Sequence, residues 1–176
     1  MTPPKHLLVA EDDLPLADLL LRSIAPLLHR SAVTHVGDGV EALDYLLARG
    51  QFQDREGGDP TLVLLDLSMP RMGGLEALQE IRDNPDLRHL PVVVMTSAAS
   101  ERNLADCCEA GANDFIVKPV DAREFSRAME LTIQFWMNRN EAPFGLVQNS
   151  LSTFAGGGHL HYDRNEKTAS HPKPRR

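Results

Sequence analysis

Leu62-Val63-Leu64-Leu65-Asp66 is an unbroken apolar run that stops on a carboxylate. A run this short, bounded by loop-forming residues on both sides, reads as a strand buried on both faces. The same punctuation recurs elsewhere. His6-Leu7-Leu8-Val9-Ala10 runs into Glu11-Asp12-Asp13, Val92-Val93-Val94-Met95 stops at Thr96, and Phe115-Ile116-Val117 stops at Lys118-Pro119. Helical patterns separate the runs, so the strands belong to a parallel sheet with helices on both faces. Ligand sites of such sheets lie beyond the carboxyl ends of the strands. The polar endings therefore converge, and together they suit metal-assisted phosphoryl transfer onto a carboxylate.

Outward from these strands, Asp13 is placed to cap a helix beginning at Leu14, with Pro15 tolerated in its first turn. A weak second strand covers 32–36, and Gly37-Asp38-Gly39 forms a turn before a helix over 41–48. Residues 51–60 read as a polar, Gly-rich surface loop, long for such a connection. Helices are expected over 75–82, ended by Asn84-Pro85, and over 98–110, ended by Gly111. The fifth strand is expected over 114–118. Asp121 and Glu124 form a D-x-x-E capping box opening the last helix, which carries Phe125, Met129, Ile133 and Trp136 near one face. The sum is five strand–helix units, a doubly wound α/β domain over 5–139. The pattern then dissolves into a largely irregular extension, 140–176, with no sign of an output domain.

A length of 176 residues and 42% hydrophobic content suit one globular domain with an appendage. The net charge of -7 argues against nucleic acid as the main partner. No stretch approaches the roughly 20 apolar residues that cross a bilayer. The start, Met-Thr-Pro-Pro-Lys, carries no signal-peptide pattern. Adjacent Cys107 and Cys108 are badly placed to bridge each other and read as helix-packing residues, which fits a reduced, cytoplasmic setting.

Each strand ending has a chemical task. Asp66 is the nucleophile candidate. Its approach to a phosphate dianion needs a cation, and Glu11 and Asp12 can help to hold Mg²⁺. Lys118 offers a point charge to one phosphate oxygen and Thr96 a hydroxyl to another. Asp38, in its turn, is expected outside the site.

These residues resemble the receiver domains of bacterial two-component response regulators. The resemblance is carried by Leu8-Val9-Ala10-Glu11-Asp12-Asp13, by Leu64-Leu65-Asp66-Leu67-Ser68-Met69-Pro70-Arg71-Met72-Gly73-Gly74-Leu75, by Val94-Met95-Thr96-Ser97, and by Gly111-Ala112-Asn113-Asp114-Phe115-Ile116-Val117-Lys118-Pro119. It implies a flavodoxin-like fold and a non-enzymatic switch phosphorylated on Asp66 by a sensor histidine kinase. It further implies Thr96 and Lys118 as phosphate sensors, Phe115 with Thr96 as the switch, and Glu11, Asp12, Asp66 and the Ser68 carbonyl as Mg²⁺ ligands. The Lys118–Pro119 bond would be cis. Gly73 stands where many relatives carry Asp, and Ser68 and Ala98 occupy positions that tune phosphate lifetime. The 51–60 loop and Phe135-Trp136 look like the stand-alone regulators partnered with bacterial phytochromes. With no output domain, such a chain would signal through its own surface. The expectation is a homodimer on the fourth helix, fifth strand and fifth helix, extended by an arm at 143–147, with the loop at 98–100 moving on phosphorylation.

Rival readings make different demands. An aspartate-nucleophile phosphatase usually has an acid two residues after the nucleophile, where this chain has Ser68. A nucleotide- or flavin-binding protein would have a Gly- or Ser/Thr-rich phosphate loop after the first strand, where acids stand instead. A degenerate receiver acting as a scaffold would not keep a complete acidic site. Taken singly, each residue has a plainer role: Asp66 as a loop cap, Lys118 as a solvated charge, Phe115 as core.

Overall fold

A computed structural model describes residues 5–28, 32–97 and 101–138. Along the chain come β1 (His6–Ala10), α1 (Leu14–Ile24), β2 (Ala32–Val36), α2 (Gly39–Leu46), β3 (Leu62–Asp66), α3 (Gly74–Asp83), β4 (Val92–Thr96), α4 (Glu101–Glu109), β5 (Asp114–Val117) and α5 (Ala122–Asn138). The strands form one parallel sheet in the order β2-β1-β3-β4-β5. This is the doubly wound order whose switch point falls between β1 and β3. Alternation along each strand builds two cores. Leu8, Ala10, Val63, Leu65, Val92 and Val94 face α2, α3 and α4. Leu7, Val9, Leu62, Leu64, Val93 and Met95 face α1 and α5. Each fully buried Val or Leu of this kind contributes about 1.5–3 kcal/mol.

Local chemistry sets the helix starts. Asp13 accepts a hydrogen bond from Leu16 N at 3.0 Å, and Pro15 occupies the first turn of α1. Asp121 accepts from Glu124 N at 3.0 Å above α5. Asp38 caps α2 by accepting from Glu41 N at 2.9 Å, so α2 begins two residues earlier than the apolar periodicity indicates. Among the described residues no helix is long and apolar enough to cross a membrane.

The 51–60 segment is a surface loop as expected, and the structure adds what anchors it: a 3₁₀ turn (Gly50–Phe52) sets Phe52 edge-on against Tyr45, and the Arg55 guanidinium lies 4.7 Å above the same ring. The ring is attractive to the guanidinium through its quadrupole. Several expectations change. Among the described residues no peptide bond is cis, so Lys118–Pro119 is trans and not cis as the resemblance implies. An X–Pro bond leaves the two isomers close in energy, so a motif alone does not choose between them. Cys107 packs in the core whereas Cys108 is exposed. The apolar end of α5 serves its own domain, with Ile133, Trp136 and Met137 all buried. The expected moving loop (98–100), the arm (143–147) and the whole 140–176 extension lie outside the described residues.

At the amino ends of β4 and β5, Arg82 joins three segments. Its Nε donates to Gly111 O at 2.9 Å, and its Nη1 and Nη2 donate to Leu90 O at 3.0 Å and Asn113 Oδ1 at 2.8 Å. Gly111 has φ +89°, and an added Cβ would crowd the Arg82 side chain. Arg82→Ala is expected to cost about 2 kcal/mol, since hydrogen bonds from a charged donor are worth more than neutral ones. Urea titration checks this. The midpoint should fall with an unchanged slope, and a loss below roughly 0.5 kcal/mol would show that the clamp carries little stability.

Candidate functional site

Register brings the strand endings together. Ala10 pairs with Leu65, so Glu11 and Asp66 stand at the same level on neighbouring strands. Asp66 pairs with Met95 and Thr96 pairs with Val117, which sets Thr96 and then Lys118 one step further around. Leu67 N donates to Met95 O at 3.0 Å and Lys118 N to Thr96 O at 2.7 Å, fastening the three carboxyl ends to one another.

Glu11, Asp66 and Thr96 are almost completely buried, at 1%, 3% and 2% exposure, while Asp12 is exposed. One carboxylate oxygen from each of Glu11, Asp12 and Asp66 lies within 4.8 Å of the others. Lys118 Nζ donates to Glu11 Oε2 at 2.6 Å and stands 2.8 Å from Asp66 Oδ1. The second approach is an ion pair off the hydrogen-bond direction, so this buried Asp66 oxygen has no directed donor. Asp13 N donates to Glu11 Oε1 at 3.3 Å.

The charges do not balance: three carboxylates against one ammonium leave −2. Burial pushes the Glu11 carboxyl above its ordinary range; the Lys118 hydrogen bond opposes this and the negative charge of Asp66 adds to it. Burial alone would lower Lys118, but its close approach to Asp66, its hydrogen bond to Glu11 and the charges of both carboxylates outweigh it and hold the ammonium above its ordinary value. A group whose pKa is raised by folding binds its proton more tightly in the native state. Ionised Glu11 therefore costs stability at neutral pH. The ion pairs of Lys118 stabilise up to alkaline pH and are lost as pH rises through its raised value. An all-oxygen, doubly negative cluster with an under-served buried oxygen suits a hard divalent cation.

Residues 7–130 match the response regulator receiver domain family. The chain belongs to this family. It is 31% identical to response regulator Rcp1 of Synechocystis over 145 residues, covering 80% of this chain and 95% of Rcp1. The Mn²⁺-bound structure of Rcp1 superposes with a TM-score of 0.71 at 28% identity, covering 76% of this chain and 94% of that one. The phosphorylated cyanobacterial phytochrome response regulator RcpA gives 0.72 at 28% identity over 77% and 95% of the two chains. The bacteriophytochrome response regulator AtBRR gives 0.61 at 40% identity over 72% and 90%. As a receiver, the chain works in two-component signalling, in which a histidine kinase phosphorylates an aspartate, and its acidic pocket binds a divalent metal.

The structure brings Glu11, Asp12, Asp66 and Lys118 into one site and sets Thr96 beside it at the end of β4. Ser68 is exposed in the loop after β3. Phe115 is 40% exposed, so the plainer reading of it as a core residue fails. Sequence reasoning missed the residues that hold the site. His35 Nε2 lies 2.8 Å from Glu11 O; a carbonyl only accepts, so that nitrogen carries the proton. Asp38 is no isolated turn residue: it is buried and paired with Arg71 of the loop after β3. Neither contact has a local signal, because the partners are 24 and 33 residues apart.

Proposed function

We propose that Asp66 is the phosphoacceptor, that Mg²⁺ is the physiological metal held by Glu11, Asp12, Asp66 and the Ser68 carbonyl, and that the donor is a histidine kinase of phytochrome type. The carrying observation is a buried carboxylate grouped with two others within 4.8 Å and facing an ammonium at 2.8 Å. An Asp66 carboxylate oxygen attacks phosphorus, the bond to the leaving imidazole breaks, and an acyl phosphate forms. The cation, when bound, supplies charge neutralisation for two anions brought together. Lys118 then pairs with a phosphate oxygen, and Thr96 donates its hydroxyl to another. Because those contacts exist in one state only, phosphorylation shifts a pre-existing equilibrium that includes Phe115.

Asp12→Ala should weaken Mg²⁺ binding at least tenfold, the order of effect expected for a lost carboxylate ligand. Affinity should also fall as pH is lowered through the raised Glu11 value, beginning above the pH at which an ordinary glutamate protonates. Calorimetric titration across pH reads both; an unaltered affinity in the Asp12 variant would remove that residue from the ligand set. The phytochrome assignment is supported by the likeness to RcpA and AtBRR. Phosphotransfer from a phytochrome kinase should exceed that from a kinase with another input, and equal rates would overturn it.

The surface proposed for output is a homodimer face on α4, β5 and α5, in a cytoplasmic protein. Support comes from apolar side chains left exposed there: Phe115, Val117, Leu131 and the wholly exposed Val120. Sedimentation of the full chain at tens of micromolar should show a dimer, and Val117→Glu with Val120→Glu should dissociate it. A dimer that persists unchanged in the double variant would move the interface elsewhere.

A further inference from the structure

The loop after β3 carries the proposed Ser68 ligand, and its far end is tied to α2 by contacts no motif announces. Met72 N donates to Pro70 O at 2.7 Å around Arg71, whose φ is +59°. This is a γ-turn in its rarer positive-φ form, which needs outside support to persist. The Arg71 guanidinium supplies it. Nε and Nη2 both reach Asp38 Oδ2, and Nη2 lies 3.3 Å from Glu41 Oε1. Asp38 is 4% exposed and spends its other oxygen on the α2 cap. Glu41 Oε2 accepts from Gly37 N at 2.9 Å, so the acidic pair is itself fixed. Gly39 N donates to Met72 O at 3.1 Å, and a Cβ on Gly39 would fall 2.8 Å from Met72 Cγ. The loop is thus gripped at Arg71 and Met72 by the start of α2.

We infer that Arg71 and Asp38 are positioning residues for the metal and phosphoryl site: their ion pair sets the loop that presents the Ser68 carbonyl. The inference rests on the ligand set proposed above. A planar fork held on a buried carboxylate defines direction as well as distance, and loss of a partner that orients a metal ligand typically costs about 10–100-fold in metal affinity.

The test is Mn²⁺ titration of the full chain, followed by electron paramagnetic resonance of the free ion. Arg71→Asn keeps a residue that tolerates positive φ and removes the fork. Asp38→Asn keeps a good helix cap and removes the charge. Each should raise the Mn²⁺ dissociation constant about tenfold, the lower end of effects seen for such supporting partners. The double variant should lose no more than either alone. Arg82→Ala, at the opposite end of the sheet, should lower the urea midpoint and leave the Mn²⁺ constant unchanged. If Arg71→Asn binds within twofold of the parent, or if Arg82→Ala loses affinity equally, the clamp is refuted. Asp12→Ala separates the readings. Should it keep full affinity, the ligand set is wrong; should it lose affinity while Arg71→Asn does not, only the clamp is.

Discussion

Asp66→Asn yields a chain that acquires no acid-labile phosphate from acetyl phosphate or a phosphorylated histidine kinase, at any divalent metal concentration. An amide oxygen is a far weaker nucleophile than a carboxylate, and the loss should exceed about a thousandfold, on the scale set by removal of covalent nucleophiles. The same substitution has a second, opposite effect. It takes the cluster from −2 to −1 and leaves Lys118 its 2.6 Å bond to Glu11. The metal-free variant should therefore unfold at a higher temperature than the parent, by roughly 1 kcal/mol of relieved repulsion. Intact-mass measurement reads the first effect and a metal-free melt the second. Phosphate retained on the variant would reject Asp66. A lowered melting temperature would reject the account of the cluster as charge-frustrated.

Lys118→Met is the converse experiment. The side-chain volume is nearly kept, but two buried carboxylates lose their shared ammonium, at 2.6 Å and 2.8 Å. Removing one partner of a buried ion pair typically costs 3–5 kcal/mol. Asp12 is exposed and water reaches the cluster's rim, so about 3 kcal/mol is expected for the metal-free chain at neutral pH. For a domain of this size that is roughly a 6–12 °C fall in melting temperature. The penalty should fade as pH falls, because Glu11 already holds its proton more tightly than usual and protonation removes the repulsion. Millimolar Mg²⁺ should also restore much of the loss, since a ligand that binds only the native state stabilises it. A penalty independent of both pH and Mg²⁺ would mean that Lys118 matters as packing.

The strands were legible because each is a short apolar run closed by a polar residue, and parallel burial on both faces leaves no alternation to obscure it. β1, β3 and β4 lie where the runs put them. Caps were legible for the same local reason: Asp13, Asp121 and Gly111 act within three residues of themselves. Asp66 and its acidic neighbours follow from the strand endings once the sheet is parallel. What sequence could not supply is pairing across long separations. Arg82 with Asn113, Arg71 with Asp38, and His35 with the Glu11 carbonyl each join residues more than twenty apart, and each polar partner alone reads as surface. The apolar end of α5 misled for a related reason. A run of Ile, Phe, Trp and Met says that a face is buried, but not whether its own domain or another copy covers it. The isomer of Lys118–Pro119 was out of reach because the motif is compatible with either.

At the start of α3, Gly74 N donates to Leu67 O at 3.1 Å, and a methyl group at position 74 would collide with the backbone carbonyl of Asp66. No compressible side chain lies between the strand's last residue and the helix's first. The Asp66 carbonyl and the first residue of α3 are thus in direct backbone contact, so a displacement of one presses on the other. The helix is in effect the handle of the residue proposed to take the phosphate, and what grips that handle from outside has mechanical access to it.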